Sequence, residues 1–238
     1  MIGTDKDLLA EATRIAAAYD LIGMFGHLSY YPEHSGDRYL LSPGAGFQKQ
    51  KCTAHDVEDL AFDDEWVPGL PLEIYMHSEV HRIHPEVGAL VHSHSPALTQ
   101  LSTLAEVPGD ALLLHASFWP DVVPVFEDIH LVVERHDAVR LIELLGDSPL
   151  ILMRWHGAVI VGATLEEAVF RSIQAEANAK ALLTAMSSGR PYISLPAGVE
   201  RQKTAELVIT PRMLGLHHKY EAAQLSSTQW PTSEAATG

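Results

Sequence analysis

Changes in the spacing of hydrophobic residues divide the chain into short predicted elements. Near its start, Leu8, Ala12 and Ile15 recur at helical spacing after Thr4, whose hydroxyl can accept an orphan backbone N–H at a helix N-terminus. The runs FGHLSYY and DRYLLSP then predict two strands, because both are short and apolar and the turn-forming stretch PEHSGD separates them. The next segment, SPGAGF, predicts a flexible loop.

The middle of the chain predicts a helix, a strand and a second helix. Pro71 marks the expected start of a helix through LEIYMHSEVHRIH, because proline is tolerated in a first turn, where its missing N–H is not needed. VGALVHSH then predicts a buried strand, and we expect Ser95 and Pro96 to cap the helix after it.

Strands and helices continue to alternate in the second half. A helix is predicted over Glu134–Leu145, and LILMRW and AVIVG predict paired strands joined at His156 and Gly157. Thr164 and Glu167 have capping-box spacing at the start of the longest predicted helix. This alternation, without a linker or a repeat, predicts a single α/β domain with helices packed on a sheet.

Composition narrows the class of protein. Acidic residues outnumber basic residues 31 to 16, so the net charge of −15 argues against nucleic acid or an anionic membrane as a partner. The single Cys52 cannot form an internal disulfide, the N-terminus lacks a signal-peptide pattern, and no stretch reaches the roughly 20 apolar residues of a membrane span. We therefore expect a cytoplasmic protein with one domain over residues 1–225 and a disordered tail over residues 226–238.

Three of the fourteen histidines are placed as metal ligands would be. His92 and His94 lie two residues apart in a predicted strand and so point to the same face, and His156 can add a third imidazole from a turn beside Gly157. Three protein ligands leave an open position for water or substrate, which is typical of catalytic metal sites. On spacing alone, the alternative is that these histidines bond to backbone carbonyls and hold no ion.

The predicted helix after Pro71 carries a second set of polar groups. Glu73, His77 and His81 are four residues apart and share one face of that helix. Glu73 is interpreted either as an acid favoured by the helix dipole or as a general acid/base beside the metal, with His77 as a second proton donor.

These segments together resemble the class II aldolase/adducin family. The resemblance is carried by VHSHSP, PLEIYMHSEVHRIHPEVGAL, RWHGAVIVGATLEEAVFRSIQAEANA and the loop segments GMFGHLSY and LLSPGAGF, most of the chain. It implies a single α/β domain whose mixed central β-sheet is flanked by helices on both sides, in a homotetramer with active sites between subunits. It assigns one divalent metal ion per subunit to His92, His94 and His156, and the acid/base role to Glu73.

Two departures argue against a phosphorylated sugar as the substrate. Sugar-phosphate enzymes of the family have Gly-Asn in the first loop and a Ser-Ser pair before the glutamate, whereas this chain has Gly26-His27 and Pro71-Leu72. Neither Pro71 nor Leu72 has a side-chain donor for a phosphate. The chain is more similar to the family's decarboxylase branch, which acts on hydroxylated aromatic or pyridine carboxylates.

The resemblance also suggests which residues contact the substrate, and several keep an alternative interpretation. His115 is either a pocket residue or a buried strand histidine, and Tyr220 either covers the site or lies on a solvated helix end. Tyr30-Tyr31 stand where several decarboxylases have a basic residue, so Arg154 or a neighbouring subunit would bind the substrate carboxylate. The predicted substrate-binding residues are His27, Ser29, Ser42, Gly44, His115 and Tyr220.

The resemblance therefore predicts a metal-dependent carbon–carbon lyase, with a decarboxylase of a hydroxylated aromatic carboxylate as the best match. The alternatives are an aldolase acting on an unphosphorylated hydroxy acid or sugar, a metal-dependent oxygenase, and a non-catalytic adducin-like assembly domain. Zinc is the first choice of metal for three imidazoles, and manganese, cobalt and iron also fit.

Overall fold

A seven-stranded mixed sheet forms the centre of the molecule, which the computed structural model describes over residues 4–33 and 35–227. The strands are β1 His27–Tyr30, β2 Arg38–Leu41, β3 Glu58–Ala61, β4 Ala89–Ser93, β5 Val125–Phe126, β6 Leu150–Met153 and β7 Gly157–Gly162. Their order in the sheet is β3-β2-β1-β4-β7-β6-β5. Neighbouring strands are antiparallel except for the parallel pair β5 and β6.

Helices cover both faces of this sheet. They are α1 Asp5–Ala18, α2 Ile74–Ile83, α3 Pro96–Leu101, α4 Arg135–Leu145, α5 Leu165–Ser187, α6 Val199–Val208 and α7 Pro211–Ser227. One apolar core lies between the sheet and α2 and α4, and includes Met76, Leu90 and Leu141. On the other face, α1, α3 and α5 pack on the sheet through two further clusters. The predicted single-domain α/β architecture is thus confirmed.

Most of the predicted elements are present. Thr4 caps α1 in a reciprocal capping box with Asp7, and Thr164 accepts a hydrogen bond from the Glu167 backbone at the start of α5. The sequence patterns did not predict β3, α6 or α7, and α7 runs to Ser227. From residue 228 onwards the predicted disordered tail lies outside the described residues. No helix in the described part of the chain is both long and apolar enough to cross a membrane.

The predicted start of α2 was wrong by three residues. The helix begins at Ile74, and Pro71 lies before it against the loop, where a Cβ on Gly44 would be only 2.9 Å from the Pro71 backbone nitrogen. Glu73 is therefore the N-cap residue, with non-helical dihedral angles (φ −98°, ψ 40°), and its side chain makes no capping hydrogen bond. The carboxylate is left to reach towards the sheet.

The N-terminus of α3 is capped in an unexpected way. Ser95 makes no side-chain cap. Instead its hydroxyl donates to Glu176 of α5 at 2.7 Å, and the same carboxylate accepts the Ala97 and Leu98 backbone N–H groups at 2.9 and 3.0 Å. Glu176 therefore ties the longest helix to the turn that follows β4.

Candidate metal and substrate site

Four potential metal ligands meet at one end of the central strands. They are Glu73, His92, His94 and His156, and one ligand atom from each lies within 4.8 Å of the others. His92 is on β4, His94 is one residue past its end, and His156 is in the turn between β6 and β7. Since β4 pairs directly with β7, the pairing brings together histidines that are 62 or more residues apart in sequence.

The turn that carries His156 is unusually tight. Trp155 has a φ of 59°, a left-handed conformation that is uncommon for a residue other than glycine. Two positions further on, residue 157 must be glycine, because a Cβ there would lie 2.1 Å from the Ser93 carbonyl oxygen. This close approach presses the His156 turn against the strand that carries His92.

The environment of His92 fits a metal ion. Its Nδ1 lies 3.3 Å from the Ala158 carbonyl, which accepts a hydrogen bond when the ring carries its proton there. The buried Nε2 then presents a lone pair, and it has no hydrogen-bond partner in the described part of the chain although Glu73 Oε2 is 3.1 Å away. A lone pair facing a carboxylate needs a cation between them, and a carbonyl bond to the far ring nitrogen is typical of metal-bound histidine.

The charges in the cluster are set by burial and by mutual contact. Burial, together with repulsion from the other imidazoles, lowers the pKa of His94 to about 3 and also lowers the pKa of His156. These two rings are therefore neutral near pH 7, which is the form that binds metals. Burial raises the pKa of Glu73, but the adjacent His92 and His156 rings and the Val132 N–H together outweigh this effect and lower the pKa to about 2, so Glu73 is ionised.

One backbone contact fixes the direction of the Glu73 carboxylate. Its Oε1 accepts the Val132 N–H at 3.1 Å, while Oε2 is 3.1 Å from His92 Nε2 and 3.6 Å from His156 Nε2. The sequence reading missed Val132. The only local signal is the set of apolar residues around it, Ile129, Leu131 and Val133.

A cavity of about 550 Å³ opens beside the cluster. Its walls are mostly apolar and partly exposed, with Phe25, Leu72 and Trp155 each more than half exposed. Near the glutamate, Pro71 and Leu72 line it, and neither side chain can donate to a phosphate. The lining residues are Phe25, Gly26, His27, Ala45, Pro71, Leu72, Glu73, His94, Ile129, Leu131, Arg154, Trp155 and His156.

The residues predicted from the first loop and α2 separate into two layers. His27 lines the cavity, and its Nδ1 lies 2.6 Å from Nε2 of His77. His77 is fully buried and is not part of the cavity wall. Ser29 is also buried, and its hydroxyl contacts His81 Nε2 at 2.9 Å. The strand alternation of β1 thus directs His27 and Ser29 towards α2.

Four other predicted substrate residues lie away from the cavity wall. Ser42 is buried and accepts the Leu28 N–H, and Gly44 packs on Pro71 while its neighbour Ala45 reaches the cavity. His115, predicted as a pocket residue, does not line this cavity, and the alternative of a buried strand histidine is wrong, because it is exposed in a 3-10 turn. Tyr220, on α7, is 60% exposed and does not line the cavity.

Arg154 lines the cavity but its guanidinium is already engaged. Its Nε and one terminal nitrogen bind the Glu127 carboxylate, and the other terminal nitrogen donates to the carbonyls of Ser102 and Leu104 at 2.6 Å. Four of the five guanidinium donors thus have partners. The predicted use of Arg154 as a carboxylate clamp has little support from this arrangement.

Comparisons with known proteins agree with the fold and the broad chemistry. The model of the class II aldolase and adducin N-terminal domain matches residues 7–183. A 3,4-dihydroxyphthalate decarboxylase from Terrabacter sp. is 29% identical over 216 residues, which cover 81% of this chain and 86% of that protein. A 3-oxo-tetronate 4-phosphate decarboxylase from Escherichia coli is 29% identical over 205 residues, covering 82% and 93%.

A solved structure gives the same picture of the fold. The aldolase II superfamily protein from Pseudomonas syringae superposes with a TM-score of 0.79 at 20% identity, covering 93% of this chain and 92% of that one. Such a likeness shows the architecture alone. Because the family model spans most of the chain, the protein belongs to the class II aldolase and adducin N-terminal domain family.

Proposed function

We propose that this protein is a metal-dependent decarboxylase of a hydroxylated aromatic carboxylate. The observation that carries the proposal is the cavity itself, where ligand histidines and an ionised Glu73 meet apolar walls suited to a flat ring. Phe25 and Trp155 contribute aromatic surface, and Leu72 takes a place where a phosphate would need a donor. The decarboxylase from Terrabacter sp. supports the substrate class.

His92, His94 and His156 would hold the metal, with zinc the first choice for three imidazoles. When bound, such an ion acts as a Lewis acid that stabilises negative charge on a substrate oxygen. Near pH 7 the low pKa values of His94 and His156 keep both rings unprotonated and ready to ligate.

Glu73 is proposed to act as the general acid/base of the reaction. The carbon–carbon bond to the carboxyl group breaks, carbon dioxide leaves, and the bonding electron pair stays on the ring carbon, which must then gain a proton. The Val132 N–H holds Oε1, so Oε2 is the oxygen directed at the cluster, where the carboxylate would first take the proton of the substrate hydroxyl and then deliver it to the ring carbon. The apolar walls restrict water around the reacting carbon.

A second copy of the chain is proposed to complete the rim. Apolar side chains with high exposure surround the mouth of the cavity, which is the kind of patch that an interface covers. They are Phe25, Leu72, Ile129, Leu131 and Trp155. This supports the homotetramer implied by the family resemblance, and light scattering on the purified protein measures it directly. A cytoplasmic setting fits the single, buried Cys52.

The test is turnover in heavy water with zinc-supplied protein. The panel contains hydroxylated phthalates and pyridine dicarboxylates beside unphosphorylated ketone donors with hydroxyaldehydes, and products are read by mass spectrometry. We expect loss of carbon dioxide from an aromatic acid, with one deuterium entering the ring. His92→Ala should abolish it, whereas His115→Ala, the same change at an exposed histidine outside the cavity, should not.

The aldolase alternative predicts the opposite pattern. Deuterium would exchange into a ketone donor while every aromatic acid stays intact. That result would replace the decarboxylase proposal with an aldolase acting on unphosphorylated substrates, since the same metal site stabilises the carbanion of either reaction.

A further inference from the structure

Two touching histidines occupy the boundary between the cavity and the core. His27 lines the cavity, and its Nδ1 is 2.6 Å from Nε2 of His77. His77 is completely buried, and its other nitrogen, Nδ1, has no hydrogen-bond partner in the described part of the chain. These contacts are enough to assign which ring nitrogen carries each proton.

The assignment follows from the cost of an unpaired N–H. A buried donor without a partner is rarer and more costly than an unused acceptor. Nδ1 of His77 is therefore the unprotonated nitrogen, and the ring proton sits on Nε2. That proton points at His27, so His27 Nδ1 must be the acceptor of the 2.6 Å hydrogen bond.

This assignment also determines which nitrogen of His27 carries the proton on the side that faces the cavity. A neutral imidazole whose Nδ1 accepts must carry its proton on Nε2. This Nε2 nitrogen has no hydrogen-bond partner among the described residues. It is not fully buried, and the ring that carries it lines the cavity. A ring that carried protons on both nitrogens would require His77 to accept, and would leave a proton stranded on His77 Nδ1.

We propose that His27 presents its Nε2–H to the substrate as a fixed hydrogen-bond donor, and that His77 is a positioning residue that holds His27 in this tautomer. The role first predicted for His77, a direct proton donor, does not fit a side chain outside the cavity wall. The donor would bind an anionic oxygen of the substrate. In taking that oxygen to be a carboxylate, the inference rests on the proposed function.

This donor fills the place of the missing carboxylate clamp. Arg154 is largely occupied by Glu127 and two carbonyls. The ring centre of His27 is 5.1 Å from that of His92, so the donor lies one ring away from the proposed metal ligands. A substrate that contacts both must carry oxygen groups at two separate positions, as an aromatic ring with a hydroxyl and a carboxylate does.

The first test reads the tautomers directly. Zinc-supplied protein labelled with ¹⁵N-histidine is examined by two-bond ¹H–¹⁵N correlation spectra, which distinguish protonated from bare ring nitrogens, and the His27→Gln variant identifies the His27 signals. We expect His27 to be protonated on Nε2 and His77 on Nε2. A proton on Nδ1 of either ring would overturn the inference, and this readout does not depend on any activity.

The second test uses phthalate, which lacks the hydroxyl groups, as an unreactive dicarboxylate probe of binding. Loss of one hydrogen bond to a charged group weakens binding by about 10- to 100-fold, which we expect for His27→Phe. His27→Gln should bind nearly as the wild type does, because its amide donates without help from another residue. Equal affinity for phthalate in the Phe and Gln variants would contradict the proposed donor.

A double substitution separates positioning from packing. His77→Phe should weaken phthalate binding in the wild-type background but have no further effect in the His27→Gln background. In the wild-type background His77→Gln, whose amide restores an N–H, should bind phthalate nearly as tightly as the unchanged protein. An equal loss in both backgrounds would mean that His77 acts only through packing, against the inference. If the tautomers and phthalate affinities agree but no aromatic acid is decarboxylated, the proposed function fails and the donor assignment stands.

Discussion

Replacing Gly157 with alanine should break the metal cluster by moving one strand. The added Cβ would lie 2.1 Å from the carbonyl oxygen of Ser93, the residue between His92 and His94. Non-bonded carbon–oxygen contacts are about 3.3 Å or longer. The start of β7 must therefore move about 1 Å from β4, and His156 moves with it because it is the preceding residue.

That displacement is large for a metal site and modest for the fold. Metal–ligand distances tolerate only about 0.2 Å, so a 1 Å shift removes one of three histidine ligands. Changes that merely reorient a ligand already cost 10- to 100-fold in affinity, so we expect Gly157→Ala to weaken zinc binding by about 100-fold. The strain should lower the free energy of unfolding by about 1–3 kcal/mol.

Zinc affinity is measured by competition with a chromophoric chelator, and stability by urea unfolding of the same samples. Gly162→Ala is the matched control, because its Cβ would lie 2.5 Å from the Ala168 backbone nitrogen at the opposite end of β7. It should lose comparable stability but keep its zinc affinity. Wild-type affinity in a folded Gly157→Ala protein, or an equal loss in Gly162→Ala, would refute the reasoning.

Three further changes test other parts of the structure. If the proposed decarboxylation is observed, Glu73→Gln should lower its rate by about 10²- to 10⁴-fold while zinc stays bound, and metal analysis beside the rate assay would reveal a loss of the ion. Lys49 is buried against the Pro43 and Gly44 carbonyls, and burial lowers its pKa from 10.5 to about 8. Between pH 8 and 10.5 the unfolded chain therefore keeps the Lys49 proton while the folded protein has lost it. The free energy of unfolding of the wild type, measured in urea, should rise by about 3 kcal/mol over this range relative to Lys49→Met. Parallel pH profiles of the two proteins would contradict this. Glu176→Gln should lower the unfolding free energy by about 1–3 kcal/mol, because an amide cannot accept all three hydrogen bonds at the start of α3, and an unchanged urea midpoint would argue against that role.

Local patterns predicted the parts of the fold that have one apolar face or a clear cap. The sequence predicted the capped starts of α1 and α5 and the paired strands β6 and β7, because caps and apolar runs are local signals. The edge strand β3 was not predicted, since Leu60 is the one buried residue among its four. Helix α6 was missed for a related reason, as Arg201 is its single buried residue.

The candidate site divides in the same way. Residue spacing and the family resemblance predicted His92, His94, His156 and Glu73 as site residues, and the structure places these four side chains together. The contact from Val132 to Glu73 joins residues 59 positions apart, and the neutralisation of Arg154 depends on where Glu127 lies. Such contacts are properties of the assembled sheet and of loop paths, so a single sequence does not reveal them.

The pairing of distant strands also determines when the ion can be acquired. His27 lies opposite His92 in the sheet, and His92 lies opposite Val159, so the site requires contacts that span most of the domain in sequence. Contacts of such high sequence separation form slowly and late in folding. A growing chain cannot offer a complete site until the His156 turn has been synthesised and paired, so the metal would join a nearly finished fold and would not serve as its nucleus.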